Sequence, residues 1–236
     1  MRNEPISRAA GLALIDGAVA FLGVFTFLAV RFDYPDVLDG SAAEVLPRLL
    51  EMGSVGRAVW AVYALLPLIW IPAGVGAFHA LRGVRPGSMR VAMLFAMVAA
   101  VSMMLGLMRW PSIHWELAQA YVTGDPNTRV SLAAVFSGLN VFLGNYVGEF
   151  LGELSVGLFF LLSALAMLEP GTGFPRWMGF LGLATAVAGL VGMFRNVTSM
   201  VDPVAEVNNY LLPLWMIVFG VGLWRRPSSE SRAQGA

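Results

Sequence analysis

Apolar positions in this chain run together instead of recurring at the intervals of a surface helix. The runs cover residues 9–30, 57–81, 89–108, 131–168, 176–194 and 209–224. A helix crosses a bilayer core in about 20 residues. Inside lipid every backbone polar group must be satisfied within its own segment, so such runs predict helices. The fold class is therefore all-α: a polytopic membrane protein, a compact bundle of about six transmembrane helices forming a single membrane domain over residues 1–236. Pro67 and Pro72 fall inside the second run, where each removes a backbone donor and bends the helix.

Between the runs the pattern changes. After the first span, FDYPDVLDG reads as turns. Ser41 then precedes Glu44 by three residues, the spacing of a capping box. Val45, Leu46, Leu49 and Leu50 recur at helical intervals. This predicts a short amphipathic helix lying on the outer face. A second outer loop, residues 109–129, carries Trp110, Trp115 and Tyr121, aromatics that anchor at headgroup level. Asn208 and Asn209 read as caps of the last helix.

Composition narrows the chemistry. The chain is 58% apolar and 13% charged, about half the charged fraction of soluble domains. It has no cysteine, which removes disulfides and thiol catalysis. All 15 basic residues are arginine, which removes Schiff-base chemistry. No basic tract points to nucleic acid, and no cofactor is expected. The bilayer is the expected partner, with another membrane protein as a further one. Arginine placement sets orientation. With both termini in the cytoplasm, Arg2, Arg8, Arg82, Arg85, Arg90, Arg176, Arg225, Arg226 and Arg232 lie inside. Arg31, Arg48, Arg57, Arg109, Arg129 and Arg195 lie outside. The expected location is the cytoplasmic (inner) membrane, with both termini cytoplasmic.

The fourth run is the informative one. Gly144, Gly148 and Gly152 repeat every four residues, a stripe that lets helices pack closely. Asn145, Glu149 and Glu153 form a second stripe, with the two carboxylates about 6 Å apart along an α-helix axis. Ionisable residues inside a span mark functional sites by default. Like charges on one face also demand cations or a proton. Arg109 and Arg195 each close a Gly-x-x-Arg, and each lies 19 residues after another arginine, Arg90 and Arg176. The echo is read either as a repeated hairpin or as ordinary span ends. One reading is an outward polar pocket of Asn145, Glu149, Glu153, Arg109, Arg195 and Asn196 that binds or passes an unidentified small solute or lipid. Another is a structural network of internal ion pairs. His114 with Glu149 and Glu153 would make a metal set, but His114 and His79 fit interfacial polar positions better. The His-Glu-x-x-His pattern is absent. Three functions stay open: a solute- or lipid-binding membrane protein, an accessory subunit without catalysis, and an intramembrane metal-dependent hydrolase.

Four stretches carry a resemblance: FDYPDVLDGSAAEVLPRLLEMG after the first span, LMRW at 107–110, LGNYVGEFLGE at 143–153, and the closing LLPLWMIVFGVGLWRR. With these the chain resembles bacterial membrane proteins of domain-of-unknown-function family 4386. The resemblance implies a multi-span bacterial membrane protein. It supplies no reaction, substrate or cofactor.

Overall fold

The computed structural model describes residues 4–225, and all regular structure among them is helical. The elements are α1 (Glu4–Phe32), α2 (Ala42–Glu51), α3 (Gly53–Leu81), α4 (Pro86–Met108), α5 (Ile113–Thr123), α6 (Pro126–Met167), α7 (Arg176–Gly192) and α8 (Asp202–Trp224). Six segments are long and apolar enough to cross a membrane. Arg2, Arg226 and Arg232, used in the orientation argument, lie outside the described residues.

The chain departs from its apolar pattern at four places. The expected loop 109–129 is largely helical, because α5 follows α4 after one four-residue turn. The last helix begins at Asp202 with proline in its first turn, where a missing N–H costs nothing. Asn208 and Asn209 are therefore inside α8 and do not cap it. Around Pro67, α3 tightens into a 3₁₀ turn over Leu66–Ile69. The fourth span widens into π-helix over Asn140–Leu151, a form that is rare and frequent at functional sites.

Two compact units make up the chain. One comprises residues 20–67 and 102–149. Its core is aromatic: Trp60 stacks on Trp110 at 4.9 Å, and Phe32 meets both rings edge-on. The amphipathic helix forms as expected, with the Ser41 N–H donating to the Glu44 carboxylate at 3.1 Å. Its apolar face does not meet lipid. Ala42, Val45, Leu46 and Leu49 are buried, and the helix packs on α5. Trp110 and Trp115 belong to the same core, so they are packing residues and not headgroup anchors. The start of α6 is fixed by Asp125, whose carboxylate accepts from the N–H groups of Asn127 and Thr128.

The other unit comprises residues up to 19, 68–101 and 150 onward. Here α7 packs against both the end of α6 and α8. Its core is built on Trp70, Phe159, Phe160, Trp215 and Phe219, with Trp215 and Phe219 stacked at 5.3 Å. α1 and α8 touch backbone to backbone, since a Cβ on Gly220 would lie 2.7 Å from the carbonyl oxygen of Gly11. Arg85, before α4, pairs with Glu169, after α6.

Candidate functional site

The expected site residues fall into two groups, one in each unit. In the first unit Arg109 ends up 4% exposed. Its guanidinium donates to Asn140 Oδ1 at 3.1 Å and to the Gly106 carbonyl oxygen, and it lies 5.0 Å from the Trp110 ring centre. Asn140 in turn donates to the Leu38 carbonyl oxygen at 2.9 Å, which ties the group to the loop before α2. Room for the guanidinium comes from Gly144: a Cβ there would lie 2.5 Å from it. Gly148 does a different job. It crosses Gly106 of α4 so closely that a Cβ on Gly106 would lie 2.5 Å from the Gly148 Cα. Both glycines are thus used within the chain. Gly152, the third of the stripe, is also buried.

The π-helical stretch changes the reading of the acidic stripe. Asn145 and Glu149 lie within it, while Glu153 lies in the α-helical part that follows. The 3.6-residue period that aligned the three on one face does not run through an i→i+5 segment. Asn145 is half-buried on this stretch.

In the second unit Arg195 donates to Glu153 at 2.6 Å, with side chains 27% and 13% exposed. Asn196, next to it, is half-buried. Glu153 also borders a small cavity of about 10 Å³ with Val156, Gly157, Phe160, Thr185, Gly189, Asn208 and Leu212. That is room for roughly one water molecule. Asn208 is 5% exposed, and its Oδ1 has no hydrogen-bond partner among the described residues. A buried amide oxygen left unpaired costs about 1–3 kcal/mol. The Thr185 hydroxyl donates to the Leu181 carbonyl oxygen at 3.0 Å, so what it offers the cavity is oxygen lone pairs. Carboxylate, amide and hydroxyl are thus the polar groups in a lining that is otherwise apolar.

His114 is not the interfacial residue expected. It is fully buried, 4.9 Å from the Trp110 ring and 4.7 Å from that of Phe136. Neither ring nitrogen has a hydrogen-bond partner among the described residues. Among those residues no three His, Asp or Glu side chains are gathered closely enough to hold a metal, the His114, Glu149 and Glu153 set included.

Asn140, Thr185 and Asn208 were missed as site residues. Asn140 carried a signal, as an amide within an apolar run. Asn208 carried one too, but its position near the expected helix start made it look like a cap.

Six apolar helices, long enough to cross a membrane, define an all-α polytopic membrane protein. The chain matches the family model described as a domain of unknown function (DUF4386) over residues 9–224, and it belongs to that family. No curated protein and no solved structure matches it.

Proposed function

We propose that this protein binds a water-sized polar solute at the Glu153 site, in the cytoplasmic membrane of a bacterium with both termini inside. A small monovalent cation suits the three polar groups of the lining best, because hard cations take oxygen ligands. One observation carries the reading. A carboxylate 13% exposed, on a spanning helix, borders a cavity also lined by Asn208, whose buried Oδ1 has no hydrogen-bond partner among the described residues. Charge inside a span is expensive and by default marks an ion or substrate site.

The ion pair supplies the mechanism. Glu153 holds Arg195, and a cation entering the cavity competes with that guanidinium for the same carboxylate. Asn208 and Thr185 contribute oxygens to the cation and none to the arginine. Binding therefore loosens Arg195, and return of Arg195 expels the cation. The cavity is too small for a lipid or a larger solute. In the accessory-subunit reading the glycine stripe packs against a partner, whereas Gly144 and Gly148 pack within the chain.

The test compares melting temperatures of purified protein in sodium chloride and in choline chloride at equal ionic strength. Choline exceeds the cavity. Sodium should raise the wild-type melting temperature and leave Glu153→Gln and Asn208→Leu unmoved. Arg195→Gln removes the competitor and should enlarge the response. Salts that act alike on the wild type, together with equal loss of protein in Glu153→Gln and Arg195→Gln, would mean a structural ion pair.

A further inference from the structure

A second site lies in the unit formed by residues 20–67 and 102–149, on its surface. A groove of about 430 Å³ runs between the start of α3 and the end of α4, lined by Ser54, Arg57, Ala58, Ala61, Met108, Pro111 and Ser112. Its size is that of a small-molecule site. Its lining is graded along the helix axis. Arg57 and the hydroxyls of Ser54 and Ser112 stand at one end, with two alanines and a methionine beyond. α3 has 29 residues, a length of about 43 Å, against about 30 Å of hydrocarbon. Its first turns therefore stand at headgroup depth, as do the residues just after α4.

Arg57 is held in place but not used up. Its Nε donates to the Pro111 carbonyl oxygen at 2.9 Å, and Nη2 donates to Glu116 at 3.3 Å. The guanidinium also lies 5.2 Å from the Trp115 ring centre. Five N–H donors in a planar fork leave several without an acceptor among the described residues. Glu116 is two-thirds exposed, so the pair is water-screened and weak.

We propose that this groove binds a glycerophospholipid with an anionic headgroup, the phosphodiester on Arg57 and an acyl chain along Ala58, Ala61 and Met108. Charge complementarity selects the occupant. An arginine fork matches two phosphate oxygens, the Ser54 hydroxyl adds a donor while that of Ser112 is bonded to the Met108 carbonyl oxygen, and the apolar floor continues toward the bilayer core. A detached phosphate would use the fork and leave the apolar floor bare.

The experiment is lipid exchange on the full-length protein, with retention of phosphatidylglycerol and phosphatidylcholine read by native mass spectrometry. Wild type should retain phosphatidylglycerol over phosphatidylcholine by about fivefold, the effect of one basic residue at a membrane surface. Arg57→Gln should abolish the preference. Glu116→Gln removes the competing carboxylate and should raise it. Ala61→Phe fills the floor with the charge intact and should lower retention of both lipids, while leaving binding of free glycerol phosphate unchanged. If wild type shows no preference, if Glu116→Gln weakens retention, or if Ala61→Phe changes nothing, the proposal is overturned. Because Glu116→Gln and Ala61→Phe keep Arg57, the test stands even where Arg57→Gln fails to fold.

Discussion

Arg109 and Arg195 close the same Gly-x-x-Arg sequence, yet the two arginines live differently. Arg109 is almost wholly buried and is bonded to neutral groups, the Asn140 amide and the Gly106 carbonyl oxygen. Arg195 is partly exposed and is bonded to a carboxylate. The first arrangement is fixed on several sides, by a glycine that makes room, an aromatic ring and a carbonyl at the end of its own helix. The second is a bond to a carboxylate that borders a water-sized cavity. The contrast teaches that a shared motif sets where a charge enters the membrane, while the elements packed around it decide whether it is locked or exchangeable.

The largest expected effect breaks the locked arginine. Arg109→Met keeps much of the bulk and removes the charge and its bonds, leaving Asn140 Oδ1 without its donor. Each of the arginine's two charge-assisted hydrogen bonds contributes about 1.5–3 kcal/mol, and thermal unfolding of the purified protein should show the combined loss. Gly144→Val should act through the same arginine, because its Cβ would occupy the guanidinium's place. If Arg109→Met unfolds no earlier than the wild type, Arg109 is not a lock and the contrast with Arg195 fails. Next in size is Gly148→Leu, which forces α6 off Gly106. Overpacking of this kind costs about 1–3 kcal/mol, and the mutation should leave the sodium response unmoved.

Much of this architecture was legible in the residue pattern, and the reasons are physical. Spans are set by length against bilayer thickness, so six segments, the amphipathic helix and its Ser41–Glu44 cap could be read directly. The pairing of Glu153 with an arginine followed from the cost of charge in lipid. The π-helical turn over Asn140–Leu151 could not be read, because no local propensity distinguishes i→i+5 from i→i+4 bonding. Asn145 and Glu149 were therefore aligned with Glu153 by a period that does not hold there. Trp110 and His114 were misplaced for another reason. Aromatics at a span end suit either a headgroup layer or a core, and only the packing of α2 on α5 decides. Asn208 hid behind a helix boundary set by hydropathy, which puts a start where apolar residues resume and not where the backbone begins to coil.

The exchangeable arginine offers a smaller effect and a sharper test. A double-mutant cycle on Glu153→Gln and Arg195→Gln isolates their coupling. For contacting residues it should fall at about 1–2 kcal/mol, below the loss at Arg109. The cycle should be run in choline and again in sodium. If sodium competes for the carboxylate, the coupling shrinks in sodium. A coupling as large as the Arg109 loss, and the same in both salts, would erase the difference between the two arginines.

Asp125 sets the exposed end of the same scale. It is a charge with no burial, bonded to the N–H groups of Thr128 and Asn127 and to the Thr128 hydroxyl at 2.8 Å. The backbone and hydroxyl of Thr128, then the backbone of Asn127, hold its carboxyl below the usual aspartate value. A carboxyl lowered on folding favours the native state when ionised. Its contribution is therefore full above the ordinary aspartate range and is lost as pH falls through the lowered value. Asp125→Ala should cause the smallest loss of the series and should flatten this acid limb in a stability profile against pH. Asp125→Asn should keep part of the cap, because an amide oxygen still accepts from the first turn, yet lose the pH dependence. If Asp125→Ala cost as much as Arg109→Met, burial would not be what ranks the charges of this chain.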